Sequence, residues 1–227
     1  MKKLIIANWK LNPVRLKDAQ KLASLISKKS KNKVVLCPPA IYLSSVKYSN
    51  LGAQDCFWQE KGAYTGQTSP LQLKDLKVKY CLVGHSERRG LGETDEMVNA
   101  KLKTLLSHGI IPVLCVGYGT SVEQDDLEVT DILKSQLTLG LLGIEISKII
   151  VAYEPFWAIG TGKVATPEHA DKISLFIKTK FKVVSVLYGG SVNSMNAQSY
   201  LQQQQIDGLL IGGDSLIPAH FNTIINL

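Results

Sequence analysis

Glu154 and His85 are the residues of this sequence best suited to general acid–base chemistry. Glu154 directly follows the apolar run Ile149–Tyr153, and His85 lies two positions beyond the run Tyr80–Val83. Burial of a carboxylate at the end of such a run raises its pKa towards the range of a general base. Taken alone, Glu154 could instead belong to a salt bridge or a helix cap, and His85 could be an ordinary loop histidine.

Three more polar side chains follow apolar runs in the same way. Asn8 and Lys10 come after Leu4–Ala7, and Glu87 lies just beyond His85. A fixed cation in a dry pocket stabilises negative charge that develops during a reaction, and Lys10 could supply it. Taken alone, Lys10 could be a surface lysine and Glu87 part of an exposed ion-pair cluster.

Two glycine pairs are candidate anion-binding loops. Gly189-Gly190-Ser191 and Gly212-Gly213 each follow an apolar run, and glycine lets backbone N–H groups approach a ligand closely. Asp214 or Ser215 could then cap a short helix whose N-terminus favours phosphate. A single Gly-Gly pair is more often a plain turn, so the indication comes from finding two of them.

Eight short runs of aliphatic and β-branched residues could carry these side chains as β-strands. The runs are Leu4–Ala7, Val34–Cys37, Leu51–Gln54, Tyr80–Val83, Ile111–Val116, Ile149–Tyr153, Val183–Leu187 and Gly208–Ile211. Several are apolar at consecutive positions, which is typical of parallel strands buried on both faces. Helical patterns lie between them, so the sequence predicts a single (β/α)8 barrel domain over residues 1–227, with an open eight-strand sheet as the alternative.

Two of the predicted helices have well-marked apolar stripes. The stripes are Leu16, Ala19, Ala23 and Ile26 in the first, and Met97, Ala100, Leu102 and Leu105 in the second. The second helix is predicted to begin at Thr94 as its N-cap, with acidic residues in the first turn.

A barrel of this kind would gather the candidate residues at one rim. The loops that leave the carboxyl ends of the strands meet there and carry the catalytic groups. The glycine pairs would follow strands seven and eight, where such barrels commonly bind phosphate. Convergence of these distant segments is a stronger indication than any one of them.

The composition is that of an ordinary globular chain. It has 227 residues and a mass of 24.9 kDa, with 45% hydrophobic and 20% charged residues. No run reaches the roughly 18 apolar residues of a membrane-spanning helix, so we expect no membrane partner. The apolar segment after Lys2-Lys3 is too short for a signal-peptide core, and a buried first strand is the better interpretation.

Cysteine and lysine positions argue against a metal-binding protein and against a nucleic-acid-binding protein. The four cysteines form no CxxC pair and lie in or beside apolar runs, which predicts buried free thiols, no metal site and a cytoplasmic location. The net charge of +7 comes from scattered lysines without interleaved aromatic residues, so we expect no nucleic-acid partner. An anionic small substrate would suit this charge, although solvated helix faces account for most of it.

Five segments resemble the triosephosphate isomerase family and occur in the family's order. They are Asn8-Trp9-Lys10, Gly84-His85-Ser86-Glu87-Arg88-Arg89, the stretch from Tyr153-Glu154-Pro155 to Gly162, Tyr188-Gly189-Gly190-Ser191 and Leu210-Ile211-Gly212-Gly213. The third segment is the most specific because it is long. A sixth, Ala63-Tyr64-Thr65-Gly66, is similar to the family's dimer loop, which reaches the rim of the partner's site.

The resemblance implies a TIM barrel that interconverts dihydroxyacetone phosphate and D-glyceraldehyde 3-phosphate without a cofactor, in glycolysis and gluconeogenesis. Glu154 would remove the proton next to the carbonyl, and neutral His85 would polarise the carbonyl oxygen. Lys10 and Asn8 would bind substrate and stabilise negative charge, with Glu87 as a second carboxylate beside the histidine. The phosphate would be held by backbone N–H groups of Gly160, Ser191, Gly212 and Gly213. Thr65 would lie in the loop that builds a homodimer.

Four residues depart from the family's usual pattern. They are Asp55 (usually asparagine), Gln67 (usually glutamate), Tyr118 (usually glutamate) and Phe156 (usually a smaller aliphatic residue). Gln67 removes a possible partner of Arg88. None of the four is a predicted catalytic or phosphate-binding residue. Two alternatives stay open: another sugar-phosphate enzyme on the same barrel, and a barrel that binds without catalysing.

Overall fold

Eight parallel strands form one sheet in this computed structural model, which describes residues 2–160 and 162–227. In chain order they are β1 (Leu4–Asn8), β2 (Lys33–Cys37), β3 (Gly52–Ala53), β4 (Tyr80–Val83), β5 (Ile111–Val116), β6 (Ile150–Tyr153), β7 (Ser185–Tyr188) and β8 (Gly208–Ile211). Their order in the sheet is β2-β1-β8-β7-β6-β5-β4-β3, and a parallel bridge from Leu36 to Leu51 joins its two ends. The predicted (β/α)8 TIM barrel is therefore confirmed, and the open sheet is wrong.

Helices lie between most of the strands, with two of them between β4 and β5 and only a 3₁₀ turn between β2 and β3. They are α1 (Leu16–Leu25), α2 (Pro70–Asp75), α3 (Ser86–Arg89), α4 (Asp95–Ser107), α5 (Asp126–Gly140), α6 (Pro167–Phe181), α7 (Ala197–Leu201) and α8 (Pro218–Ile225). Within the described residues, none of these helices has the length and apolar character needed to cross a membrane. The assignment of residues 1–227 to one domain stays a prediction.

Apolar side chains fill both sides of the sheet. Ile6 of β1 and Leu82 of β4 pack together in the barrel interior, whereas Ile5 and Ala7 of β1 belong to the larger core between the strands and the helices. Successive residues of a strand point to opposite faces, so a strand that is buried twice needs apolar residues at consecutive positions. This explains the uninterrupted apolar runs of the sequence.

β3 is shorter than predicted, and β7 begins two residues later than predicted. In β3 only Gly52 and Ala53 form a ladder with β4. Leu51 before them has a single bridge, to Leu36, and the side-chain amide of Gln54 after them donates to two backbone carbonyls. β7 begins at Ser185, and Val184 before it is exposed. The other six strands begin and end within one residue of the predicted bounds.

The helix predictions are partly confirmed. The Thr94 hydroxyl accepts a hydrogen bond from the Met97 N–H, as expected of an N-cap. The apolar stripes are wrong at their first members: Leu16 and Met97 are 39% and 38% exposed, because the buried faces begin at Ala19 and Val98. The predicted burial of four free cysteines is confirmed.

Candidate active site

The carboxylate of Glu154 and the imidazole of His85 face each other at the carboxyl end of the barrel. Glu154 directly follows β6, and its Oε1 lies 3.5 Å from His85 Nε2. Both residues are buried, at 3% and 4% exposed. Burial raises the pKa of Glu154, and the nearby His85 and Lys10 only partly oppose this effect. A carboxylate in this state is a stronger base than an ordinary glutamate.

His85 is oriented by the short helix that follows it. It occupies the N-cap of α3, where its Nδ1 accepts a hydrogen bond of 3.2 Å from the Glu87 N–H. In a neutral imidazole only one ring nitrogen carries a proton, so this hydrogen bond assigns the proton to Nε2. The N–H group of His85 therefore points towards Glu154 and the pocket rather than into the helix.

Lys10 is held by three contacts. Its N–H donates to Asn8 Oδ1 at 3.0 Å, and its carbonyl accepts from Gln54 Nε2 at 2.8 Å. Its ammonium forms an ion pair of 2.7 Å with Glu87 Oε1. The backbone at Lys10 has a φ of 52°, a left-handed conformation that costs free energy in a non-glycine residue. The surrounding contacts keep the residue in this conformation.

A pocket of about 380 Å³ contains nearly all the predicted site residues. Its lining includes Asn8, Lys10, His85, Glu154, Gly160, Ser191, Gly212 and Gly213. Glu87 lies in an adjoining cavity of about 290 Å³, which shares Asn8, Lys10 and His85 with the first. Thr65 lines neither cavity; it lies on an exposed loop whose next residues, Gly66 and Gln67, line the second.

The two glycine loops line the pocket directly beside Glu154 and Lys10. A Cβ atom at Gly189 would lie 2.7 Å from Glu154 Cγ, so only glycine fits beside the carboxylate. Asp214 Oδ2 accepts a hydrogen bond of 2.8 Å from the Ser194 N–H, which ties the loop after β8 to the loop after β7. The predicted capping role of Asp214 or Ser215 is wrong: Gly212 precedes the 3₁₀ turn at Gly213–Leu216, and no side chain caps it.

The segment from Pro155 to Ala165 lies over one side of this pocket. Ile159, Gly160 and Gly162 line the pocket, while Thr161, which belongs to the family-like motif, lies outside the described residues. The Ser191 hydroxyl donates to the Ala158 carbonyl and so links this segment to the loop after β7.

A family model described as triosephosphate isomerase matches residues 3–227. The chain belongs to the triosephosphate isomerase family. It is 42% identical to the triosephosphate isomerase of Thermoanaerobacter sp. (strain X514), with 98% of each chain covered. It is 41% identical to that of Trichodesmium erythraeum (strain IMS101), with 100% of this chain and 99% of the relative covered. The triosephosphate isomerase of Clostridium tetani (strain Massachusetts / E88) is 37% identical, with 99% and 96% covered.

Two of the departures from the family's pattern contact each other. The rings of Tyr118 and Phe156 pack edge to face with centroids 5.0 Å apart, so the two substitutions form one aromatic contact between the β5 loop and the β6 loop. Gln67 was expected to remove a possible partner of Arg88, and in the structure Arg88 has a different one, since Asp55 Oδ2 lies 3.0 Å from Arg88 Nε.

Several residues that shape the site were not found from the sequence. Gln54 holds the carbonyls of Lys10 and Cys37, and its only signal was its position as the last residue of a predicted strand. A Cβ atom at Gly117 would lie 2.3 Å from the Glu154 carbonyl oxygen, so this glycine lets β5 approach the catalytic segment. The three histidines set aside in the sequence each lie beside a carboxylate in the structure, the pairs being His108–Glu60, His169–Asp126 and His220–Asp214.

Proposed function

We propose that this chain is a triosephosphate isomerase, which interconverts dihydroxyacetone phosphate and D-glyceraldehyde 3-phosphate through an enediolate and without a cofactor. The observation that carries the proposal is the buried pair of Glu154 and His85 in one pocket with two glycine loops. A base and a hydrogen-bond donor suit an enolisable carbonyl, and bare backbone N–H groups in the same pocket suit a phosphate.

Glu154 takes the proton from the carbon next to the carbonyl, and the raised pKa of its carboxyl group favours this transfer. His85 donates from Nε2 to the carbonyl oxygen and then moves protons between the two oxygens of the enediolate. This division of roles is the one established for the family. Lys10 and Asn8 contact the substrate, and the Lys10 ammonium stabilises the developing oxyanion.

Glu87 acts on the site through Lys10 and His85. Its carboxylate pairs with the Lys10 ammonium, and its N–H fixes the imidazole. In the same pocket, the phosphate binds to backbone N–H groups at the positions proposed for that role: Gly160, Ser191, Gly212 and Gly213.

A coupled assay with D-glyceraldehyde 3-phosphate tests this function. The expected result is rapid conversion to dihydroxyacetone phosphate by the purified chain with no added metal or cofactor. A panel of other sugar phosphates tests the alternative of a different enzyme on the same barrel. Isomerisation of another sugar phosphate in preference to the triose, or binding of the triose without turnover, would contradict the proposal.

We also propose that the chain acts as a homodimer. The loops after β1, β2 and α3 expose large apolar side chains, with Leu11 at 90%, Val14 at 86%, Ile41 at 79% and Leu91 at 80%. Such a concentration at one end of a barrel is typical of a protein interface. The cavity beside Lys10 and Glu87 lies at the same end, and the partner's loop around Thr65 is the proposed occupant. The four buried thiols suit a reducing compartment, which supports a cytoplasmic enzyme of glycolysis and gluconeogenesis.

A further inference from the structure

Asp55 joins two cations from different elements, although it has no place in the proposed chemistry. Its Oδ2 lies 3.0 Å from Arg88 Nε of α3, and its Oδ1 accepts a hydrogen bond of 2.6 Å from Lys101 Nζ of α4. Asp55 itself follows β3 by two residues. One carboxylate therefore connects the end of β3 to two successive helices.

The charges around Asp55 balance. Lys101 is buried and also pairs with the buried carboxylate of Glu93, so two acids face two bases. Burial alone would lower the pKa of Lys101, but Asp55 and Glu93 outweigh it and raise the pKa, which keeps the lysine charged. Removing the charge of Asp55 would leave one buried or half-buried cation uncompensated, which is costly in a low-dielectric environment.

Asp55 and its neighbour Gln54 hold the two sides of the catalytic site. Gln54 binds the backbone of Lys10, while Asp55 binds Arg88, the residue after Glu87 in α3. Because α3 begins at His85, a shift of α3 moves both the His85 imidazole and the Glu87 carboxylate relative to Lys10. Gln54 and Asp55 thus set the distance between Lys10, which follows β1, and the α3 segment with His85 and Glu87, which follows β4.

We propose that Asp55 is a positioning residue for the isomerisation, which orients His85 and Glu87 through its ion pair with Arg88. In this chain the negative charge that faces Arg88 comes from position 55, at the end of β3, and not from position 67. Gln67 lines the same cavity as Asp55 and Arg88. A carboxylate at position 67 could therefore face Arg88 from the other side of that cavity.

The test compares Asp55→Asn with Asp55→Asn/Gln67→Glu in the coupled assay. Since small displacements of a catalytic group are expensive, kcat of the single variant should fall about tenfold. KM and inhibition by glycerol 3-phosphate should change by less than about twofold, because the phosphate loops follow β7 and β8 and neither contacts Asp55 or Arg88 through the ion pair that is removed. The double variant returns the charge to Arg88 and should recover kcat to within about threefold of the unmodified chain.

Asp131→Asn is the matched control, since it removes the acid of the exposed ion pair with Lys134 and should leave kcat unchanged. If Asp55→Asn does not fold, Arg88→Gln tests the same ion pair from its other end and should show the same loss of kcat. An unchanged kcat in either single variant, or a double variant no faster than Asp55→Asn, would overturn the inference. The inference rests on the proposed function, whose own failure would show as no isomerisation by the unmodified chain.

Discussion

The carboxylate of Glu154 combines burial with sparse hydrogen bonding. Its Oε1 faces His85, while its Oε2 has no hydrogen-bond partner among the described residues. A buried carboxylate without a full set of donors destabilises the fold when it is charged, because it has lost its hydration. The same lack of donors leaves its lone pairs available for a proton from carbon. Catalytic competence and folding stability are therefore opposed at this residue.

Replacing Glu154 by glutamine should separate these two effects. Glu154→Gln keeps the shape but cannot accept the proton, so kcat should fall by several orders of magnitude while glycerol 3-phosphate still binds. At neutral pH the variant should unfold at a higher temperature, since it no longer buries a charge. Measurements of kcat and of the unfolding temperature check the two parts of this prediction. Glu145→Gln, which changes a residue of an exposed ion pair, is the control. Near-normal turnover would remove Glu154 from its role as base.

The pH dependence of activity should reflect the same burial. The folded-state pKa of Glu154 is raised, so its contribution to stability is greatest below the unfolded pKa and is lost as pH rises through the folded pKa. For activity the sign is opposite, because the base must be ionised. The acid limb of kcat/KM should therefore have its midpoint above about 4.3, the ordinary glutamate value. A midpoint at or below that value would contradict the effect of burial.

At the scale of single elements, the position of the Glu154 carboxylate depends on how closely the loop after β7 approaches it. The gap between Gly189 and the Glu154 side chain is too small for a methyl group. Its neighbour Ser191 is tied to Ala158, so the loop cannot retreat without disturbing the segment after β6. The ends of β6 and β7 thus behave as one unit around the base.

An added methyl group at Gly189 should test this close approach. Gly189→Ala should lower kcat about a hundredfold, because the carboxylate would have to move by a large fraction of an ångström. Gly140→Ala in α5 adds the same methyl group where neighbouring atoms are at ordinary contact distances of 3.7 and 3.8 Å, and should leave kcat unchanged. Steady-state kinetics of the pair is the measurement. Equal activity of both variants would show that the loop after β7 can move to accommodate the methyl group.

The segment from Pro155 to Ala165 should act as a lid over the phosphate. Phe156 is 45% exposed and Trp157 is half-buried, which suits side chains that gain burial when the segment closes. Deleting residues 159–162 should slow isomerisation and increase release of inorganic phosphate, because an enediolate open to water can expel it. Assays of both products, with Trp157 fluorescence as the reporter of closure, would check this. Normal isomerisation without extra phosphate would argue against a lid.

The sequence predicted those strands that depend only on the residues within them. Runs such as Tyr80–Val83 and Ile111–Val116 are apolar at every position and have the predicted bounds in the structure. The length of β3 was not predictable, because Gln54 leaves the strand to bind carbonyls of Lys10 and Cys37, which lie elsewhere in the sequence. The Asp55–Arg88 pair was missed for the same reason. A contact between side chains of different elements has no signal in the local pattern.

At the scale of the whole molecule, the two ends of the barrel have different surfaces. The carboxyl end carries the reactive pocket and the exposed apolar side chains of Leu11 and Ile41. The amino end has an open apolar recess rimmed by lysines, among them Lys2, Lys33 and Lys148. We expect self-association only at the carboxyl end, because like charges at the amino end repel a second copy.

A charge placed at the apolar end should therefore dissociate the proposed dimer. Ile41→Asp changes a side chain that is 79% exposed, so it should weaken association without unfolding the chain. Val184→Asp, at the amino end and 67% exposed, is the matched control. Sedimentation at micromolar concentration should show a monomer for the first variant and a dimer for the second, with little effect of salt because Gln67 is uncharged. An unmodified chain that sediments as a fully active monomer would contradict the dimer.

The join between β2 and β3 is the weakest line in the wall of the barrel. Its backbone pairing is a single bridge from Leu36 to Leu51, supplemented by side-chain hydrogen bonds from Asn50 and Gln54 to carbonyls of β2. By contrast, β1 is paired with both β2 and β8 along nearly its whole length. Transient opening of the native molecule should start at this line, since fewer hydrogen bonds have to break there. A backbone cut between residues 44 and 50 would fall on the same line. The fragment β1-α1-β2 would then still be held by β8, so the chain has a natural division point for two-piece reassembly.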